Sequence, residues 1–158
     1  MKFIYFLFLL LSQNSWSQQD YARIILDENS SLEIYREVFN PKEYKIEYKD
    51  NRVISINNIP LFGSDGEIPK FKLSKAILKI GEKIYNLQVD NMYNPWFGKD
   101  VNKNHFEIIH GGENDHILKA RFSDGAGSYA SEWLIEWNSS IRGIITKDEI
   151  IIQAYFEN

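Results

Sequence analysis

Cysteine is absent from all 158 residues, so no disulfide staples the fold and no thiol serves as nucleophile, metal ligand or N-terminal lipid anchor. Lys/Arg blocks are also missing, which argues against a polybasic membrane patch. The balance is mildly acidic: without Lys2, seventeen Lys and Arg face 22 Asp and Glu, a net −5. That is the wrong sign for a nucleic-acid binder. No internal repeat, low-complexity stretch or interior linker divides the chain. No apolar run reaches the ~20 residues of a membrane-spanning helix.

One apolar run does stand out. Met1-Lys2 precedes nine apolar residues, Phe3–Leu11, then polar Ser12-Gln13-Asn14 and the small-x-small triplet Ser15-Trp16-Ser17. These are the three parts of a secretory signal. The expectation is cleavage after Ser17, export to the periplasm or medium of a Gram-negative bacterium, and one domain over residues 18–158. A domain of that length buries roughly two thirds of its unfolded surface and needs no staples.

Beyond residue 17, period-two alternation of β-branched and aromatic residues dominates, so the expected fold is all-β: an antiparallel sandwich or small barrel of hairpins. Ser74–Val89 is the clearest unit. Gly81-Glu82 suits a two-residue turn with Gly first, which sets Ile80 opposite Lys83 and Leu78 opposite Tyr85. Ala76, Leu78, Ile80, Tyr85, Leu87 and Val89 then share one face, and a one-residue slip would bury Lys75 and Lys79. Further hairpins are expected around Lys49–Arg52 and Gly111–Asp115. A terminal strand series runs Tyr129–Trp137, Ile141–Thr146, Glu149–Phe156. Asp20–Leu26 reads as a strand or one short helix near the mature N-terminus, and Asn40-Pro41 opens a helical turn.

Several segments bear on function. His105, His110 and His116 fall within twelve residues, beside Glu107, Glu113 and Asp115. Imidazole and carboxylate are zinc ligands. The spacing matches no metal signature, however, so a polar loop is the expectation. A metal site of His110, Glu113, Asp115 and His116, serving a small metal-dependent hydrolase over His105–His116, is the alternative. Ser123-Asp124-Gly125 and Ser64-Asp65-Gly66 read as turns. Glu132 and Glu136 lie four apart where the catalytic strand of retaining β-sandwich glycosidases places its pair five apart. Four strand steps separate their Cβ atoms by about 13 Å, whereas retaining chemistry needs carboxyls about 5 Å apart. Trp133, Ile135 and Trp137 are expected to face the core.

Met92-Tyr93-Asn94-Pro95-Trp96-Phe97-Gly98 concentrates aromatics in an expected loop, either as a plug at one end of the core or as a contact surface. Tyr93, Trp96 and Phe97 are the candidate partner-binding residues. The leading expectation is an exported, non-catalytic binding protein without a cofactor, of the immunity or inhibitor type, holding a basic toxin or lytic enzyme. A carbohydrate-binding module using the same three aromatics is a second alternative.

Overall fold

The computed structural model describes residues 20–98 and 100–156; the segment 1–17, expected to be a signal peptide, lies outside the described residues. Strands come first: β1 (Asp20–Ile25), β2 (Ser30–Val38), β3 (Ile46–Lys49), β4 (Arg52–Ile56) and β5 (Ile59–Pro60). The central pair is β6 (Phe71–Ile80) and β7 (Lys83–Asn86). The C-terminal half holds β8 (Phe106–His110), β9 (Asp115–Phe122), β10 (Tyr129–Glu136), β11 (Ser139–Thr146) and one α-helix, α1 (Glu149–Phe156). The fold is all-β, in three antiparallel sheets: β1-β2-β6-β7, β11-β10-β9-β8, and the small β3-β4-β5. No helix among the described residues is long and apolar enough to cross a membrane.

The first two sheets enclose one core. Leu32, Ile34, Leu73, Leu78 and Tyr85 from one sheet meet Leu118, Phe122, Tyr129, Trp133 and Ile135 from the other. The Trp133 indole N–H donates to the Gln88 carbonyl at 2.9 Å, so the largest buried ring has its polar atom satisfied. A second cluster, Phe39, Val53, Ile56, Leu61 and Tyr93, lies under the small sheet.

Turn chemistry explains the registers. The β6–β7 hairpin pairs Ile80 with Lys83 and Leu78 with Tyr85, and Gly81 takes φ +56, as its alternation and glycine require. The β3–β4 connection is a tight Asp50-Asn51 turn with both residues left-handed, the pattern of a type I′ hairpin. Asn40 caps a 3-10 turn at Pro41–Glu43 through its side chain.

Two expectations are corrected. Glu149–Phe156 is helical rather than a strand, and Asp20–Ile25 is strand β1, so the short helix lies at the C-terminal end. Asp148 accounts for this: its carboxylate accepts the Ile150 amide at 2.9 Å and its carbonyl accepts the Ile152 amide at 3.0 Å, an N-cap that starts the helix. Trp137 does not face the core. It occupies the β10–β11 turn with φ +53 and is 68% exposed. The turn falls one residue earlier than the polar Asn138-Ser139-Ser140 run suggests.

Candidate interaction surface

Alternation along β8–β11 sends Phe106, Leu118, Trp133 and Ile135 inward, so the intervening residues form the outer face. Register then aligns four aliphatics: Ile109 opposite Ile117, Ile117 opposite Leu134, Leu134 opposite Ile141. They make one unbroken row across all four strands. Ile109 and Leu134 are each 37% exposed and Ile141 58%; Ile117 is half-buried.

Helix α1 covers only the other part of this face. Ile152 is buried, the Tyr155 hydroxyl donates to Glu132 at 3.0 Å, and Lys119 Nζ sits 4.6 Å from the Tyr155 ring centre. The uncovered row is flanked by acids, with Asp115 and Glu136 paired on one side and Glu107 and Glu132 about Lys119 on the other. Trp137 stands at the end of the same hairpin. Its backbone is held there: the Trp137 amide donates to Asn114 at 2.9 Å and its carbonyl accepts the Tyr85 hydroxyl at 2.9 Å. A large apolar side chain at positive φ is sterically disfavoured, and here it presents an indole to solvent.

Tyr93, Trp96 and Phe97 part company. The loop runs beside β6, with Leu73 donating to the Met92 carbonyl and Asn94 to the Phe71 carbonyl, each at 2.9 Å. Met92, Tyr93 and Trp96 are thereby buried and close one end of the core. Phe97 alone of the three is exposed. It lines a cleft of about 330 Å³ whose other walls include both Ser-Asp-Gly turns, Asp65 and Asp124 among them. The Ser123 hydroxyl donates to the Gly63 carbonyl at 3.4 Å, so two turns about sixty residues apart in sequence meet.

Among His110, Glu113, Asp115 and His116, the two histidine side chains bond to one another and the Glu113 backbone also bonds His116; the carboxylate that joins the pair is Asp27, from the β1–β2 turn. His110 Nδ1 lies 2.8 Å from His116 Nδ1, and His110 Nε2 lies 2.9 Å from Asp27 Oδ2. Among the described residues, no group of three His, Cys, Asp or Glu is placed to hold a metal ion. His105 stands apart, near Arg121. The Asp27–His110–His116 chain links the two large sheets through shared protons. One Nδ1 must donate to the other, and a second proton there would set two N–H groups head to head.

Burial, then the field of His110, accordingly pushes His116 below the ordinary imidazole range. At Asp27 burial acts upward, but hydrogen bonds from His110 and the Asn29 amide outweigh it and hold the carboxyl below its usual range. The sign follows. An unfolded chain protonates His116 near pH 6.5 while the folded chain resists, so stability falls as pH drops from about 6.5 toward the lower folded value. The lowered Asp27 carboxyl adds a further loss below about pH 4. Urea midpoints measured at pH 7 and 5.5 should fall with acidification. His116→Asn should flatten that slope, leaving the part due to His105, which burial also depresses.

No protein-family model, curated protein or solved structure matches this chain.

Proposed function

We propose that this is an exported, non-catalytic binding protein that captures a basic protein partner on the open half of its second large sheet, in the manner of an inhibitor or immunity protein. The observation that carries the reading is the Ile109–Ile117–Leu134–Ile141 row. A solvated outer strand face ordinarily alternates to polar residues. Here aliphatics recur on all four strands at one level, and exposed apolar patches rimmed by polar residues mark contact sites. The acidic flanks and the net −5 favour a partner with lysines or arginines around an aliphatic ridge, since complementary charge raises the association rate. A second copy of this chain would set Asp115, Glu136, Glu107 and Glu132 against like charges.

Leu134→Asp tests this. A partner identified from the native envelope should bind the variant at least tenfold more weakly, and unfolding free energy should change by less than about 1 kcal/mol, because Leu134 lies outside the core. Undiminished binding to the variant would refute the docking face.

The Phe97 cleft supports a second reading, a saccharide site. An exposed ring offers a stacking platform beside Asp65 and Asp124, and the Asp124 side chain makes no capping bond to its own turn. Phe97→Ala would abolish glycan retention under this reading and leave protein capture intact.

A further inference from the structure

We propose that the pocket between helix α1 and the Arg121 end of β9 binds a small oxyanion, a carboxylate or phosphate group, through Arg121, Lys147 and Ser128. This inference is independent of the docking face described above. Arg121 points outward from β9, opposite Ala130, beneath the start of α1. The cavity there is about 140 Å³ and is lined by Arg121, Ser128, Lys147, Glu149 and Gln153 together with Ala126, which lies in a 3-10 turn at Gly125–Gly127. That volume is several times what a single water needs and leaves room for a small oxyanion.

Two polar atoms in this wall are anomalous. Arg121 Nε and Ser128 Oγ are both buried without a hydrogen-bond partner. The Arg121 guanidinium makes no hydrogen bond or ion pair with any described residue. Elsewhere the buried or partly buried cations have partners, for Lys119 the Tyr155 ring and for the others polar groups. Arg36 holds Asp20, Lys72 holds Glu37, Lys79 holds Glu33, and Arg142 donates to the Asp90 carbonyl. An unpaired, half-buried guanidinium is disfavoured unless something supplies its acceptors.

The neighbouring groups do not supply them. Glu149 lines the cavity but forms no ion pair with Arg121. His105, in the turn before β8, is held toward its neutral form by burial and by the field of Arg121. Lys147, which also lines the cavity, adds a second positive charge. The planar fork of an arginine, a mobile ammonium and a hydroxyl donor are the groups that recognise carboxylate and phosphate oxygens. They recur here without their acceptor in a chain whose net charge repels anions overall, so uptake of an anion would report this pocket rather than general attraction.

The test uses the purified protein without an affinity tag, titrated calorimetrically at pH 7 and low ionic strength with inorganic phosphate, and separately with acetate. Saturable one-to-one binding of either is expected, with a rise in unfolding temperature; the arm that binds more tightly identifies the source as phosphate or carboxylate. Arg121→Gln should weaken binding at least tenfold. Lys147→Gln, at an exposed position, should weaken it several-fold and serves as the decisive variant if Arg121→Gln fails to fold. Absence of saturable uptake of both anions up to about 50 mM, roughly the weakest affinity such a pair of cations would show, would overturn the proposal. So would equal affinity in the variants.

Discussion

Replacing Arg36 by alanine is expected to lower the unfolding free energy by about 3 kcal/mol, read from urea denaturation followed by tryptophan fluorescence. Arg36 sits on the inward face of β2, where alternation calls for an aliphatic, and its side chain is only 6% exposed. Its Nε and Nη2 donate to Asp20 Oδ2 at 2.9 and 2.6 Å. The same guanidinium donates to the carbonyls of Trp96 and of Gly98. Its carbon lies 4.3 Å from the ring centres of both Phe71 and Trp96, a stacked arrangement that desolvation strengthens. One side chain thus ties the first strand and the aromatic loop to β2. Alanine would leave two carbonyls short of donors and a void between two rings.

Arg36→Lys should recover less than half of the loss, because an ammonium cannot serve three acceptors while stacking on two rings. Asp20→Asn should lose only about 1 kcal/mol, since that side chain is 39% exposed and exposed partners contribute little. Equal losses for Arg36→Ala and Asp20→Asn would contradict this account and assign the energy to the ion pair alone.

The parts of this fold that were legible in the sequence are those in which local rules agree. Around Gly81 the alternation, the turn residue and the lysines on the opposite face all point to one register, and the Leu87 amide bonds the Ala76 carbonyl at 3.0 Å as that register demands. Local rules conflict at the C-terminus. Ile150, Ile151 and Ile152 favour a strand by their branching, yet Asp148 supplies the cap and Ile152 with Tyr155 supplies helical spacing; tertiary packing on β10 decides the matter. Trp137 misleads for a related reason. Hydrophobicity predicts burial, while the turn one residue earlier reverses the side chain.

The candidate surfaces were the least legible. Ile109, Ile117, Leu134 and Ile141 each look like ordinary strand residues, and only cross-strand register lines them up. Asp27 is 83 positions from His110, a pairing that no local spacing rule reports. Arg121 shows the same limit, because its missing partner is visible only once the helix is seen to cover it.

Gly63→Ala is expected to lose about 3 kcal/mol or more, and to do so by dislodging the aromatic loop. Gly63 has φ +81, and a Cβ built there would lie 1.9 Å from the Tyr93 carbonyl oxygen and 2.6 Å from its carbon. Backbone cannot yield as a flexible side-chain tip would. The same carbonyl oxygen accepts the hydroxyl of fully buried Tyr129 at 3.1 Å, and the Gly63 carbonyl accepts the Asn94 side-chain amide at 2.7 Å. Displacing Tyr93 therefore also strands a buried phenol, whose unmet hydroxyl adds roughly 1–3 kcal/mol.

Gly98→Ala separates the two contributions. Gly98 also has positive φ, +72, but a Cβ there meets nothing within 4 Å, so its loss should stay near 1 kcal/mol, the conformational penalty alone. If the loop is the plug that closes this end of the core, Gly63→Ala should also shift the emission of Trp96 to longer wavelength as the ring gains water, and Gly98→Ala should not. Matching stabilities for the two variants would mean that the loop yields freely. Trp96 would then be available at the surface, and the contact area would move from the Ile109–Ile141 row to this end of the molecule.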